Sequence, residues 1–415
     1  MNILWLSHFV PYPATGHGAL QRSHHLLREA ARRHTVHLVS LSPPGTLSAA
    51  GLVEAERELG RVAASARFFP LPADPRGLHR GRAVAASIVG ASSYWDEWFW
   101  VPAMDSEVRR VARAHDFDAV HLDSVFLERY LGGIRELPLV LNHHNLESHL
   151  LHRRAASHSS RARAWFFTDQ ARKVAASEAR LGRQAAMNLV VSDLDGERLR
   201  EVAPAAAVTT VANGVDIDFF RSASGAAMEP GSMVFAGGMD WFPNRAAIEW
   251  LASDVWPVLA RDNPRRSLTV IGRHPPAEVV ALAARDSRVR ALGFVDDVRP
   301  HIDRAAAYIC PIRVGGGTRL KILDALAMRR PLVSTSVGVE GLGLTEGTHY
   351  LAAETAEDFA RQLGRLEQEP QLGAALAAAG RTFVEARYSW AMIGEVLGAA
   401  YEAARRPARC PATKG

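Results

Sequence analysis

Gly315-Gly316-Gly317-Thr318-Arg319-Leu320-Lys321-Ile322-Leu323-Asp324 follows the strand-like run Ala307-Tyr308-Ile309-Cys310-Pro311-Ile312 and opens a helix-like run from Arg319 to Met328. Strand, glycine turn and helix in that order make one unit of a parallel α/β sheet. Three glycines let backbone approach a ligand closely, and Thr318 stands where it can cap the helix. The first turn then carries Arg319 and Lys321. That is the wrong sign for a helix start, where the macrodipole favours acids. A bound anion reverses the problem, because the free N–H groups there also attract phosphate. The chain holds 49 Lys plus Arg, yet lysine occurs only as Lys173, Lys321 and Lys414, so one of the rare lysines sits just behind the glycine turn. The stretch reads as a phosphate site. Along its helix Leu320, Leu323 and Ala327 form a buried stripe, while Lys321, Asp324 and Met328 share another face. Lys321 and Asp324 can then meet one ligand, at phosphate and at hydroxyls respectively. The alternative is an intrahelical ion pair worth about 0.2–0.5 kcal/mol.

The same unit recurs along the chain. Strand-like runs fall at 2–7, 35–41, 66–71, 119–123, 138–143, 187–192 and 208–211, then at 233–236, 268–272, 289–294, 308–312 and 331–336. Helix-like segments separate them, which implies parallel sheets covered on both faces. The rhythm breaks at Asn213-Gly214-Val215-Asp216 and Ser222-Ala223-Ser224-Gly225-Ala226-Ala227, and restarts at Met233. The expected fold is α/β: two doubly wound, Rossmann-like domains, with ligands beyond the carboxyl ends of the strands in a cleft between them. The domains are placed at residues 1–212 and 231–386, with a linker at 213–230. No repeat of solenoid period is present.

Length and composition agree with this. A chain of 415 residues is long for one core, and 48% hydrophobic with 22% charged residues excludes a disordered chain. A net charge of +5 permits anionic lipid or phosphorylated substrates but gives no nucleic-acid footprint. Cys310 and Cys410 form no ligand pattern, which favours a reducing, cytoplasmic setting. Asn2-Ile3-Leu4-Trp5-Leu6 lacks a basic flank and reads as a first strand, not a signal peptide. No run reaches the roughly 18 apolar residues needed to span a membrane.

Other stretches carry two readings each. Gly16-His17-Gly18 is a flexible loop after the first strand, or an ordinary turn; Gln21 stands where a dinucleotide fingerprint needs its third glycine. His144-Asn145-Leu146-Glu147 follows a strand. His144 and Asn145 can contact a sugar hydroxyl or steer a proton, or Asn145 simply caps the next helix. Residues 152–183 are rich in arginine, either a solvated face or a contact with a membrane surface or anionic acceptor. Tyr94-Trp95-Asp96-Glu97-Trp98-Phe99-Trp100 is core packing or a docking patch. Neither H-E-x-x-H, a Cys cluster nor G-x-S-x-G occurs, and Gly315 to Lys321 does not fit a P-loop.

The second domain adds Gly237-Gly238-Met239, Gly272-Arg273, Phe294-Val295-Asp296 and Gly338-Val339-Glu340-Gly341 at successive strand ends. Together with Asn213-Gly214-Val215-Asp216, Pro243-Asn244, Gly293 to Arg299, Gly315 to Ala327 and Tyr388-Ser389-Trp390, these resemble the retaining bacterial glycosyltransferases of family 4 (group 1), which have the GT-B fold. The likeness covers nearly the whole chain. It implies transfer of a sugar from a nucleoside-diphosphate sugar to a sugar, lipid-linked or small-molecule acceptor hydroxyl, as in polysaccharide, glycolipid or glycosylated natural-product synthesis. It implies no metal and no cofactor beyond the nucleotide-sugar co-substrate, and no nucleic-acid partner. The enzyme is expected in the cytoplasm, extending to the inner face of the membrane, where the arginine-rich residues 152–183 would make peripheral contact. A C-terminal helix, residues 387–408, would return to the first domain before a tail at 409–415.

Position by position, the resemblance assigns catalytic roles to His144, Arg319 and Lys321. It assigns donor binding to Gly16, Gly18, Arg245, Arg273, Gly315, Gly316, Gly317, Thr318 and Asp324, with Asp324 at the ribose. Gly316 stands where the family's first paired acid would be. Met239 and Arg245 replace an arginine and a lysine common after the first strand of the second domain. Diphosphate binding therefore rests on Arg319 and Lys321, with Arg245. The scheme is electrostatic, with no protein nucleophile. Two other readings share the architecture: a sugar-nucleotide epimerase, which needs no acceptor, and a two-lobed ligand-binding protein, which would call for an export signal.

Overall fold

The computed structural model describes residues 1–13, 18–72, 74, 77–222, 228–315 and 318–405. Contacts divide the chain into two units, one formed by Met1–Ala212 with the chain from Ile393 onward, the other by Asn213–Met392.

The first unit is built on a seven-stranded sheet. Its strands are β1 (Asn2–Ser7), β2 (Thr35–Ser42), β3 (Ser65–Pro70), β4 (Ala119–Leu122), β5 (Leu139–Asn142), β6 (Met187–Val190) and β7 (Val208–Thr210). Their order is β3-β2-β1-β4-β5-β6-β7, and every pairing is parallel. The central strand is apolar without alternation because both of its faces are covered: Ile3, Leu4, Trp5 and Leu6 are all fully buried. Each such side chain contributes roughly 1.5–3 kcal/mol by leaving water.

The second unit repeats the plan with six strands: β8 (Glu229–Ala236), β9 (Ser267–Ile271), β10 (Val289–Gly293), β11 (Ala305–Cys310), β12 (Leu332–Ser334) and β13 (Leu351–Ala352). The order is β10-β9-β8-β11-β12-β13, again parallel throughout. Each of the twelve strand-like runs forms a strand, with ends shifted by a few residues. The edge strand β13 is the addition; two residues carry too little pattern to be seen.

Two motifs at the ends of the second unit fold onto each other. Val215 pairs with Ser389 in a β-bridge, and a Cβ added to Gly214 would lie 2.6 Å from the Trp390 ring. Asn213-Gly214-Val215 and Tyr388-Ser389-Trp390 are thus one packed corner, in which only a glycine at 214 leaves room for the Trp390 ring. The helix Trp390–Ala404 then enters the first unit. There the Tyr401 hydroxyl lies 2.8 Å from His121 Nδ1, and Arg33 pairs with Glu395. Among the described residues no helix is long and apolar enough to cross a membrane.

Candidate functional site

Each sheet reverses its direction of growth once, between β1 and β4 in the first unit and between β8 and β11 in the second. At such a point successive connections leave in opposite directions and open a crevice beyond the strand ends, where α/β proteins bind ligands. Polar residues collect at both reversals.

In the second unit, β8 leads into Gly237-Gly238-Met239, and β11 leads through Gly315 and Thr318 to the helix Leu320–Ala327. The Lys321 ammonium donates to Asn244 Oδ1 and lies 4.7 Å from the centroid of the Phe235 ring. Asn244 is itself fixed, because its Nδ2 donates to Gly238 O at 2.7 Å. Space around the cations depends on missing side chains. A Cβ on Gly237 would stand 2.6 Å from Lys321 Nζ, and one on Gly315 would stand 2.8 Å from Arg319 Nη2.

Arg319 is the N-cap residue of this helix and is only 6% exposed. Burial lowers the Lys321 pKa to about 8, with the thiol of Cys310 opposing and Arg319 adding to the shift. Burial likewise pushes Asp324 up to about 8, against the pull of Lys321. At neutral pH Lys321 is therefore still an ammonium, while Asp324 is a carboxylic acid able to donate as well as accept. Two clustered cations at a glycine turn suit a phosphate, and Asp324 suits hydroxyls.

Thr318 does not cap the helix. Its hydroxyl accepts from Asn213 Nδ2 at 2.8 Å, and the N-cap residue is Arg319, whose side chain makes no cap bond. Arg245 and Arg273 each have a partner of their own. Arg245 Nη2 donates to His274 O at 3.2 Å, and the exposed Arg273 guanidinium lies 4.4 Å from the Phe294 ring centroid. Gly18 begins the helix Gly18–Ala31 and is exposed; Gly16, Gly316 and Gly317 lie outside the described residues.

In the first unit the residues just after the strands at the reversal are His8, Asp123 and the pair His143-His144. Asp123 is fully buried. Its Oδ2 accepts from Ser23 Oγ at 2.6 Å and Ser7 Oγ at 3.0 Å, and its Oδ1 accepts from Asn142 Nδ2 at 2.8 Å. Asn142 Oδ1 in turn accepts from the buried Arg22, at 3.2 Å from Nε and 2.9 Å from Nη2. Burial alone would raise the Asp123 carboxyl, but the imidazoles of His144 and His121 hold it well below the usual range.

His144 Nε2 lies 3.3 Å from Asp123 Oδ1, and its buried Nδ1 has no hydrogen-bond partner among the described residues. The preceding histidine differs. His143 Nε2 pairs with Asn188 Oδ1 at 3.1 Å, and burial lowers its pKa to about 4, so it is a neutral core residue. His8, Asp123 and His144 each offer one ligand atom, all within 4.8 Å of one another, and form the group among the described residues able to hold a metal ion. Three protein donors already occupy the carboxylate of that set.

Asn145 does not cap the helix Glu147–Ala156, whose N-cap is Leu146. Its start is satisfied from a distance: Glu178 Oε1 accepts from the N–H of Glu147 at 2.7 Å and of Ser148 at 3.3 Å. Asp123, Asn142, Arg22 and Asn244 carry roles that the sequence did not assign. Asp123 and Asn142 had a visible signal, as polar residues at the carboxyl ends of otherwise apolar strands. Arg22 and Asn244 are recognisable only once their partners are known.

Two family models match the chain, described as "Glycosyltransferase Family 4" over residues 17–219 and "Glycosyl transferases group 1" over residues 230–369. A curated relative, an uncharacterized 44.6 kDa protein in the cps region of Klebsiella pneumoniae, is 26% identical over 139 residues. That match takes in 32% of this chain and spans only 36% of the relative's length. Among solved structures, sucrose-phosphate synthase from Thermosynechococcus elongatus superposes with a TM-score of 0.70 at 16% identity, covering 97% of this chain and 98% of the other. HepE of Anabaena, solved with UDP, gives 0.65 at 13%, covering 97% and 100%. These two likenesses establish the shared two-sheet fold.

Proposed function

Starting from the finding that the chain belongs to the family 4 (group 1) glycosyltransferases, we propose that it moves a sugar from a nucleoside-diphosphate sugar to an acceptor hydroxyl with retention of anomeric configuration. One observation carries the reading. Arg319 and Lys321 stand together at the reversal of the second sheet, in space that Gly237 and Gly315 leave open. A diphosphate leaving group gains negative charge as its bond to the sugar breaks. The Lys321 ammonium, already fixed by Asn244 and Phe235, and the neighbouring Arg319 stabilise that charge with little reorganisation. Asp324, one turn further along the helix, takes the ribose hydroxyls.

In the first unit we assign His144 to the transferred sugar. Asp123, through its contact with Nε2, fixes the ring. Arginine and lysine supply the positive charge, and the scheme requires no metal. HepE was solved with UDP and with UDP-glucose, which makes UDP-sugars the first donors to try here.

The test is a thermal-shift screen against UDP-, GDP-, dTDP-, CDP- and ADP-sugars, since a ligand that binds only the folded state raises its melting temperature. Product analysis with the stabilising donor follows, with and without acceptor. A glycosylated acceptor of unchanged anomeric configuration supports the proposal. Inversion removes the retaining assignment, and conversion of the donor alone marks an epimerase.

A further inference from the structure

Two segments of the first unit contain no acidic residue: 77–95, with Arg80 and Arg82, and 148–168, with Arg153, Arg154, Arg161 and Arg163. The fold packs them together. Lys173, on the helix Arg161–Gln184, donates to the carbonyl of Ser87 on the helix Leu78–Val89. Tyr94 N donates to Gln170 Oε1 at 2.7 Å, and the Tyr94 and Phe166 rings lie 6.5 Å apart. These contacts set Ile88 and Val89, next to Ser87, by the turn of Gln170 and Lys173, one to two turns along the same helix from Trp165 and Phe166.

Large apolar side chains stand out here. Val89 is 90% exposed, Trp165 58% and Ile88 46%. Trp165 is one turn from Arg161 and two from Arg172 on the outward face of its helix, all three exposed. Beside it lies a pocket of about 350 Å³, lined by Arg154, His158, Ala162, Arg163, Phe166 and Phe167. Its Arg154 guanidinium is 4.3 Å from the Phe167 ring centroid, and His158 stacks on the same ring at 5.3 Å.

We propose that this face docks on an anionic phospholipid bilayer, with Trp165, Ile88 and Val89 entering the headgroup layer and the arginines meeting lipid phosphate. The choice of occupant follows from charge and shape. Apolar tips on two different elements project outward among cations, the arrangement of an interfacial membrane surface. Arginine stems lie along apolar surface while their heads stay at the phosphate level. The pocket supplies what one acidic lipid needs: cationic groups for the headgroup and two phenylalanine rings for the first methylenes. The inference is independent of the sugar-transfer reading.

The test is flotation of the full chain with vesicles of phosphatidylcholine alone and of phosphatidylcholine mixed with phosphatidylglycerol. Binding is expected only to the mixed vesicles and should weaken with salt. Arg161→Glu with Arg163→Glu should reduce it roughly tenfold or more. Trp165→Ser with Val89→Ser, which leaves every charge in place, should reduce it comparably. Both pairs are exposed, so circular dichroism and melting should be unchanged. Equal binding to neutral vesicles, no binding at low salt, or binding indifferent to the Trp165/Val89 pair would each overturn the proposal. Stabilisation by sub-micellar dihexanoyl phosphatidylglycerol without bilayer binding would assign the pocket to a soluble anionic ligand instead, and would also overturn it.

Discussion

The Lys321 ammonium is held between the Phe235 ring, whose centroid is 4.7 Å away, and the Asn244 amide oxygen, in the space beside Gly237. A methyl group on Gly237 would meet it at 2.6 Å. The same methyl would stand 2.9 Å from Asn244 Nδ2, so Gly237→Ala should displace the cation together with the amide that holds it. Turnover should drop about 10²-fold, the scale of a 1 Å misplacement. Lys321→Ala should cost on the order of 10²–10³ in kcat. Wild-type kinetics in both variants would remove Lys321 from the reaction.

This part of the molecule was legible in sequence to a particular depth. Glycines, cations and their place after a strand could be read directly, because a parallel sheet forces ligand groups to the carboxyl ends. The partners could not. Asn244 and Phe235 reach Lys321 through tertiary packing between two different strand–helix units, and sequence spacing holds no trace of that. The Thr318 and Asn145 caps failed for a related reason. Each local bond competes with a distant partner: Asn213 engages Thr318, and Glu178 serves the helix start behind Asn145. The membrane-facing reading of the arginines rested on composition alone; the exposed Val89 and Trp165 are the observation that the docking proposal adds to it.

Asp324 makes stability fall as pH rises. Its folded pKa of about 8 exceeds the ordinary 3.8, so the folded chain keeps a proton that the unfolded chain has lost between those values. Asp324→Asn does not titrate. Its melting temperature should match the wild type near pH 4 and exceed it above pH 8, each kcal/mol appearing as about 2–4 °C. Asp324→Ala should weaken nucleoside-diphosphate affinity about tenfold, the worth of one hydrogen bond. Unchanged calorimetric affinity would count against a ribose role.

Glu178 carries a second pH dependence of the same sign in the first unit. Burial and the neighbouring Glu147 carboxyl raise it to about 7, against the opposing bonds from Ser148 and the helix N–H groups. Stability should therefore decline as pH rises from the ordinary value of 4.5 through 7. Glu178→Gln keeps a carbonyl for the N–H groups of Glu147 and Ser148 but cannot ionise, so it should melt higher than the wild type above pH 7. Glu178→Ala removes the acceptor and should cost about 1–3 kcal/mol at any pH. Identical melting curves for the Gln variant and the wild type across pH 5–9 would show that Glu178 does not titrate in this range.

Asp123 has the opposite sign. Its carboxyl is held below the usual range, so its stabilisation is complete above the unfolded value and is lost as pH falls through the folded one. Asp123→Asn should cost about 1.5–3 kcal/mol at neutral pH and flatten the acid limb of the stability curve. Its effect on turnover separates positioning from packing. His144→Ala should lower kcat on the order of 10²–10⁴-fold if the imidazole handles a proton at the sugar. On the proposed scheme Asp123 acts only through His144 Nε2, 3.3 Å away, so the double variant should be no slower than His144→Ala alone. Fully additive losses in kcat would mean that Asp123 acts on the reaction by a route that does not pass through this histidine.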